Sequence, residues 1–256
     1  VMGLIGFVAF ILLRKMTVER VEPTVHQNQK FNYFKTLDSF FKNKHMMGVT
    51  ISSVAYLALM MTVTSSMQYV FMCYFQNTKI ISIATIIAGL PVALGIVITK
   101  PLLKKFTKKQ LCTYPFIISA VASGIATFIK FKNPYVWIAF IGIAMFGACF
   151  YLTLMWALVA DCIDYQEEKT GRREEGSIYA TYSLFRKIAQ GLGAAVVALA
   201  LGSTGYNEKL DAVSQAPGVA EKIYTATGAL VFIGSLICFV SMHFLYTLED
   251  KKGDEV

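Results

Sequence analysis

Charge is what this chain has least of. Only 16% of its 256 residues are Asp, Glu, Lys or Arg, against about 25% in a soluble domain. Apolar and aromatic residues make up 55%, and the mean hydropathy is +0.54. This composition excludes an ordinary water-soluble globule and points to a membrane protein. Cysteine is also sparse. The five thiols form no C-x-x-C pair, so neither a zinc module nor a disulfide framework is indicated, and each reads as a small apolar side chain within a helix. There are three histidines, His26, His45 and His243, all outside the cores of the apolar runs and without ligand spacing. With no metal cluster and no nucleophile–base pair, an enzyme is not expected. No filter-like loop or pore helix suggests a channel. The net charge of +8 might suggest nucleic acid, but the basic residues lie mainly between apolar runs and form no aromatic-interleaved patch, so a nucleic-acid partner is not expected. A secretory signal is absent as well. The apolar residues 1–13 precede Arg14 and Lys15, the reverse of the signal order. They also fall short of the ~20 residues that span a bilayer. With no methionine at position 1, they read as the end of a truncated transmembrane helix, and the chain as a fragment.

Long apolar runs are what the chain does have. Six are expected to cross the membrane, near 47–75, 80–100, 112–130, 135–160, 177–203 and 223–246, each long enough to span with some tilt. The connections alternate in charge. Seven Lys/Arg lie in 14–45, five in 100–109, three in 161–176 and two in the tail, seventeen in all. The opposite connections hold Lys79, then Lys130 and Lys132, then Lys209 and Lys222, five in all. Positive charge favours the cytoplasm. The expected organisation is therefore a cytoplasmic middle loop over 14–45, a six-helix bundle over 46–248 and a cytoplasmic tail over 249–256, with the C-terminus cytoplasmic in the cell membrane. An amphipathic patch of Phe31, Tyr33, Phe34, Leu37, Phe40 and Phe41 fits either an interfacial helix or a connector packed on helix ends. The first full span carries Thr62, Thr64, Ser65, Ser66 and Gln68. The hydroxyls either bond back to their own helix or face a wet cavity, and Gln68 is the candidate for the cavity. Gly191, Gly193 and Gly202 read as close helix contacts.

Residues 154–205 hold the most informative chemistry. An apolar helix is expected to end at Asp161-Cys162-Ile163-Asp164-Tyr165 and to give way to a charged loop over 166–176. Asp161 and Asp164, three apart, share one helix face at the negative end of the dipole, where carboxylates need partners. Arg172, Arg173 and Lys169 are the expected ones, in a cytoplasmic gate that closes in one state and opens in another; a static surface ion cluster is the other reading. In the following helix, Arg186 and Lys187 lie deep in an apolar run, Lys187 at ~15 Å by the helical rise. Intramembrane charge is costly and marks functional sites. Tyr179, Tyr182, Ser183, Lys187 and Gln190 recur at three- and four-residue spacing. Such a stripe suits a sugar, with rings against its C–H face and polar groups on its hydroxyls. Trp156 and Gln68 complete the candidate substrate-binding set.

The runs Ala160-Asp161-Cys162-Ile163-Asp164-Tyr165, Gly171-Arg172-Arg173-Glu174-Glu175-Gly176, Tyr182-Ser183-Leu184-Phe185-Arg186-Lys187 and Leu201-Gly202-Ser203-Thr204-Gly205-Tyr206 resemble those of the glycoside–pentoside–hexuronide:cation symporters, the melibiose-permease-like branch of the major facilitator superfamily. The basic 100–109 segment resembles the cytoplasmic loop between the second and third helices of each half. The resemblance implies an all-α integral membrane fold, of which this chain is the six-helix C-terminal half out of twelve helices. It implies a secondary active transporter coupling sugar or glycoside uptake to a Na⁺, H⁺ or Li⁺ gradient, with no other cofactor. The lysine matching Lys187 lies at the sugar and cation site, and the positions matching Tyr182 and Ser183 line the sugar cavity. Those matching Asp161, Asp164 and Arg173 contribute to cytoplasmic closure. The cation-binding acids belong to the missing N-terminal half, which is then an obligatory partner alongside the lipid bilayer. One departure concerns the substrate: a sugar-facing tryptophan of the melibiose permease is replaced here by Leu152, with Trp156 about a turn later. A non-transporting sugar sensor of the same fold is the alternative.

Overall fold

The computed structural model of the chain describes residues 2–16, 33–171 and 175–248. Every element among them is a helix. The first, α1 (Met2–Met16), belongs to a unit ending at Asn32, and its described side chains are exposed.

The second unit begins at Tyr33 and contains α2 (Tyr33–Lys42), α3 (Lys44–Tyr69), α4 (Ile81–Leu102), α5 (Lys108–Thr113), α6 (Pro115–Phe128), α7 (Pro134–Thr170), α8 (Glu175–Ser203) and α9 (Val219–Val240). Single π-turns extend α3 over Val70–Tyr74 and α9 over Ser241–Leu245. Among the described residues, six helical runs are long and apolar enough to cross a membrane: Lys44–Tyr74, Thr78–Leu102, Lys108–Phe128, Pro134–Thr170, Glu175–Ser203 and Val219–Leu245. This is a multi-pass membrane protein, and the six expected spans are all present.

Local chemistry sets the boundaries. Asn43 caps α3 by accepting from the amides of His45 and Met46, and Thr107 with Gln110 forms a capping box at α5. Asn133 followed by Pro134 opens α7. Such caps satisfy amides that have no partner in the first turn. Gly171 ends α7 in the left-handed region at φ 66°, a conformation glycine adopts without steric cost.

Here the structure corrects the expectation that α7 stops near Tyr165. The helix continues through Gln166–Thr170, because Gln166 is buried rather than part of a charged loop. Its side chain donates to Ser39 Oγ at 3.0 Å and accepts from Asn43 Nδ2 at 3.2 Å, while Asn43 Nδ2 also reaches Cys162 O at 3.3 Å. At 37 residues α7 is ~55 Å long, well beyond the ~30 Å hydrocarbon core, so its final turns stand outside the membrane. The same bonds fasten α2 to the bundle. Phe40 is buried and stacks on Phe185 at 6.0 Å, so α2 is a packed connector within the compact unit that starts at 33.

Neighbouring helices follow the order α4, α7, α6, α9, α3, α8. The two at the ends of this series, α4 and α8, each have one principal neighbour. Only 17% of the most apolar stretch of each is buried, against 67% for α3 and 61% for α7. Where α4 meets α7 the backbones approach closely, since a Cβ on Gly95 would lie 2.7 Å from Cys149 Cβ. Gly193 likewise lies against α3 at Ala58, whereas Gly191 and Gly202 face open space and are not the contacts expected of them. Most buried hydroxyls bond back to their own helix, as Thr62 does to Ala58 O at 2.8 Å and Ser235 to Val231 O at 2.9 Å, which removes the cost of burying them.

Candidate functional site

The inner face of α7 and the start of α8 form an aromatic cluster around a cation. Trp156 and Tyr179 are stacked, with centroids 5.4 Å apart and planes inclined by 23°. Both are partly exposed, at 40% and 46%. Tyr182 meets Trp156 edge-on at 5.8 Å. The Arg186 guanidinium lies 4.7 Å from the Trp156 ring centroid and 5.8 Å from that of Tyr182. Lys187, the next residue, is exposed. The ~100° turn between successive helical residues thus sends the two cations to different surroundings.

Tyr182 is corrected. Its side chain is completely buried, so it underlies the aromatic cluster rather than lining its exposed side. The hydroxyl lies 2.5 Å from Ser53 Oγ, Ser53 Oγ lies 2.8 Å from the Tyr151 hydroxyl, and Tyr151 donates to Val49 O at 2.8 Å. A carbonyl only accepts, so Tyr151 spends its single proton there. Ser53 must therefore donate to Tyr151, and Tyr182 to Ser53. The chain of donors ties α8 through α3 to α7 and holds the ring beneath Trp156.

The remaining members of the expected stripe share one side of α8. Tyr179, Lys187 and Gln190 are exposed and Ser183 is half-buried. Gln68 lies elsewhere, lining a cleft of about 260 Å³ between α3 and α4 together with Thr64, Thr85, Gly89 and Met145. That cleft is mostly apolar. Thr64 bonds back to Met60 O at 2.9 Å, so Gln68 carries most of its polarity.

A second polar centre lies at the end of the bundle that carries the basic 100–109 segment. Asp161 accepts from Lys108 Nζ through both oxygens at 2.9 Å, and from the Tyr246 hydroxyl at 3.3 Å. His45 packs edge-on against Tyr165 at 4.6 Å, and its Nδ1 accepts from the Thr247 amide at 3.1 Å. One carboxylate thus joins α5, α7 and the residue after the terminal π-turn of α9. Lys108 is a partner that the sequence did not single out. Arg172 and Arg173 lie outside the described residues, and Lys169 instead sits over the Tyr165 ring at 4.9 Å. Asp161 is also nine residues from the end of α7, beyond the final turn where the dipole acts. Asp164, three residues on, is exposed. Lys108 was visible in sequence only as part of a basic segment, and Ser53, Tyr151 and Tyr246 carried no signal.

The profile of the family described as "MFS/sugar transport protein" matches residues 1–250. The chain belongs to that family. It is 27% identical over 253 residues to the "Putative sulfoquinovose importer" of Escherichia coli K12, covering 96% of this chain and 52% of that protein. It is 28% identical to the "Glucuronide carrier protein homolog" of the same organism, covering 100% and 55%. Against the "Uncharacterized symporter YjmB" of Bacillus subtilis 168 the identity is 26%, covering 100% and 56%. The chain spans about half the length of the curated relatives it matches.

Proposed function

We propose that this chain is the carboxyl-terminal half of a secondary active transporter that takes up a sugar or glycoside across the cell membrane, driven by a cation gradient through alternating access. The observation that carries this reading is the pair Arg186 and Lys187, deep within an apolar helix, with Arg186 over Trp156 beside Tyr179. The described acids lie towards the ends of the apolar runs, so the pair has no counterion at its own depth among them. Cations held there are functional by default. Tyr179 stacks on the substrate with Trp156 contacting it beside that ring, Lys187, Ser183 and Gln190 bond it, and Tyr182 positions Trp156. Gln68 contributes from the α3–α4 side. The uncovered apolar faces of α4 and α8 seat an N-terminal half, which supplies the acids for Na⁺, H⁺ or Li⁺. The C-terminus and the Asp161 centre are cytoplasmic, and Asp161, Asp164, Arg172 and Arg173 belong to the gate. No other cofactor is required.

Membership of the family and the relatives named for sulfoquinovose, glucuronide and symport support sugars as substrates. The test is uptake of labelled glycosides, pentosides and hexuronides by vesicles holding the complete two-half transporter under imposed Na⁺ or H⁺ gradients, beside Lys187→Ala. Gradient-driven uptake lost in the variant is expected. Substrate binding without flux would replace transport with the sensor reading.

A further inference from the structure

Resting on that reading, we infer that the substrate carries an anionic group, a carboxylate or sulfonate, and that Arg186 is the residue that reads it. Arg186 makes no hydrogen bond or ion pair with any described residue, and its Nε is buried without a partner. A buried donor left unmade costs more than a typical hydrogen bond contributes, so this atom is suited to an acceptor that comes and goes. The guanidinium carbon lies over the Trp156 ring at 4.7 Å, a cation–π contact that uses none of its N–H donors in conventional hydrogen bonds. An oxyanion with two oxygens in a plane can take Nε and a terminal nitrogen together, the bidentate geometry that distinguishes arginine from lysine. The Trp156 contact also holds the guanidinium in place at a depth where a free arginine would snorkel towards water. Tyr179, stacked on the same tryptophan and 46% exposed, presents an aromatic face for the sugar ring near the cation. A ring with an acid substituent therefore meets both features at once. A neutral sugar would satisfy the aromatic face and leave the desolvated Nε unpaired, which is how polar sites reject analogues lacking one group.

The test uses the complete transporter, with matched labelled substrates: a glucuronide, a sugar sulfonate and the neutral glucoside of the same aglycone. Wild type, Arg186→Gln and Arg186→Lys are compared after monodispersity is checked, and competition by unlabelled free acid supplies a second readout. The expected result is preference for at least one acid over the neutral sugar. Arg186→Gln should lower that ratio at least about tenfold, the scale of a charge-assisted bond. Arg186→Lys should recover part of it, because the charge returns without the fork. The two acids separate carboxylate from sulfonate. An acid-to-neutral ratio that is unchanged in Arg186→Gln, or a wild type that prefers the neutral glucoside, overturns the inference while sugar transport stands. No uptake of any sugar in wild type removes the transport reading, and this one with it.

Discussion

Ser53→Ala isolates the hydroxyl chain beneath the aromatic face. Tyr182, Ser53 and Tyr151 are each fully buried, and their protons run in one direction to Val49 O. Removing Ser53 Oγ deletes two hydrogen bonds, but the two tyrosines are not affected equally. Tyr151 still donates to Val49 O, whereas Tyr182 keeps a buried O–H with no acceptor. Hydrogen bonds between transmembrane helices average about 0.6 kcal/mol, so two lost bonds account for about 1.2 kcal/mol. The orphaned hydroxyl raises the cost towards about 2–3 kcal/mol. Tyr182→Phe removes one bond and orphans no donor, because Ser53 still donates to Tyr151, so it should cost about 0.5–1 kcal/mol. Combining Ser53→Ala with Tyr182→Phe removes the orphan, and the double variant should be no less stable than Ser53→Ala alone. All five cysteines of this chain are buried, so a thiol-reactive dye reports the unfolding of this half. A Tyr182→Phe variant less stable than Ser53→Ala, or additive losses in the double variant, would refute the proton order deduced here.

Three further outcomes test the framework around this chain. Lys108→Ala should free the start of α5 from α7. The pair is about 30% exposed on each side, so the cost should be modest, about 1–2 kcal/mol after allowance for solvent screening; the exchange Lys108→Asp with Asp161→Lys should restore part of it, read as melting temperature and as labelling of a cysteine placed at position 104. Gly95→Ala puts a Cβ 2.7 Å from Cys149 Cβ and should push α4 off α7, costing about 1–3 kcal/mol, whereas Gly191→Ala, with nothing within 4 Å, should be neutral in the same melt. Asn43→Ala removes the α3 cap and the bonds to Cys162 O and Gln166; a loss of about 1–2 kcal/mol with early proteolysis within α2 is expected, and unchanged cleavage would show that α2 is held by Phe40 alone.

The six spans were legible because hydrophobic length is written along the chain. Each expected range overlaps the observed helix, with errors at the ends. Those errors have a common cause. The stop assigned near Tyr165 rested on the charge that follows, and polar residues read as loop when their partners are unknown. Gln166 is helical and buried because Ser39 and Asn43, more than 120 positions away, satisfy its amide. The same blindness left two readings open for α2, since Phe40 and Phe41 look alike in sequence whether they lie on lipid or on Phe185.

The candidate site was legible as an inventory and not as an arrangement. Spacing put Tyr179, Tyr182, Ser183, Lys187 and Gln190 on one stripe, but five residues at three- and four-residue steps cover more than 100° of a helix. Which part of that arc is open depends on the neighbour. Here α3 takes one side, seals Tyr182 against Ser53 and leaves Lys187 and Gln190 uncovered. Arg186, passed over in sequence in favour of Lys187, gains its character from Trp156, thirty positions earlier on another helix. Sequence therefore shows that an uncompensated charge lies at depth, while the partner that turns it into a recognition element appears only once the helices are packed. An arginine held over an indole by a cation–π contact is fixed in place and still has its N–H donors to offer, and that difference separates a specificity determinant from a cation that is merely tolerated.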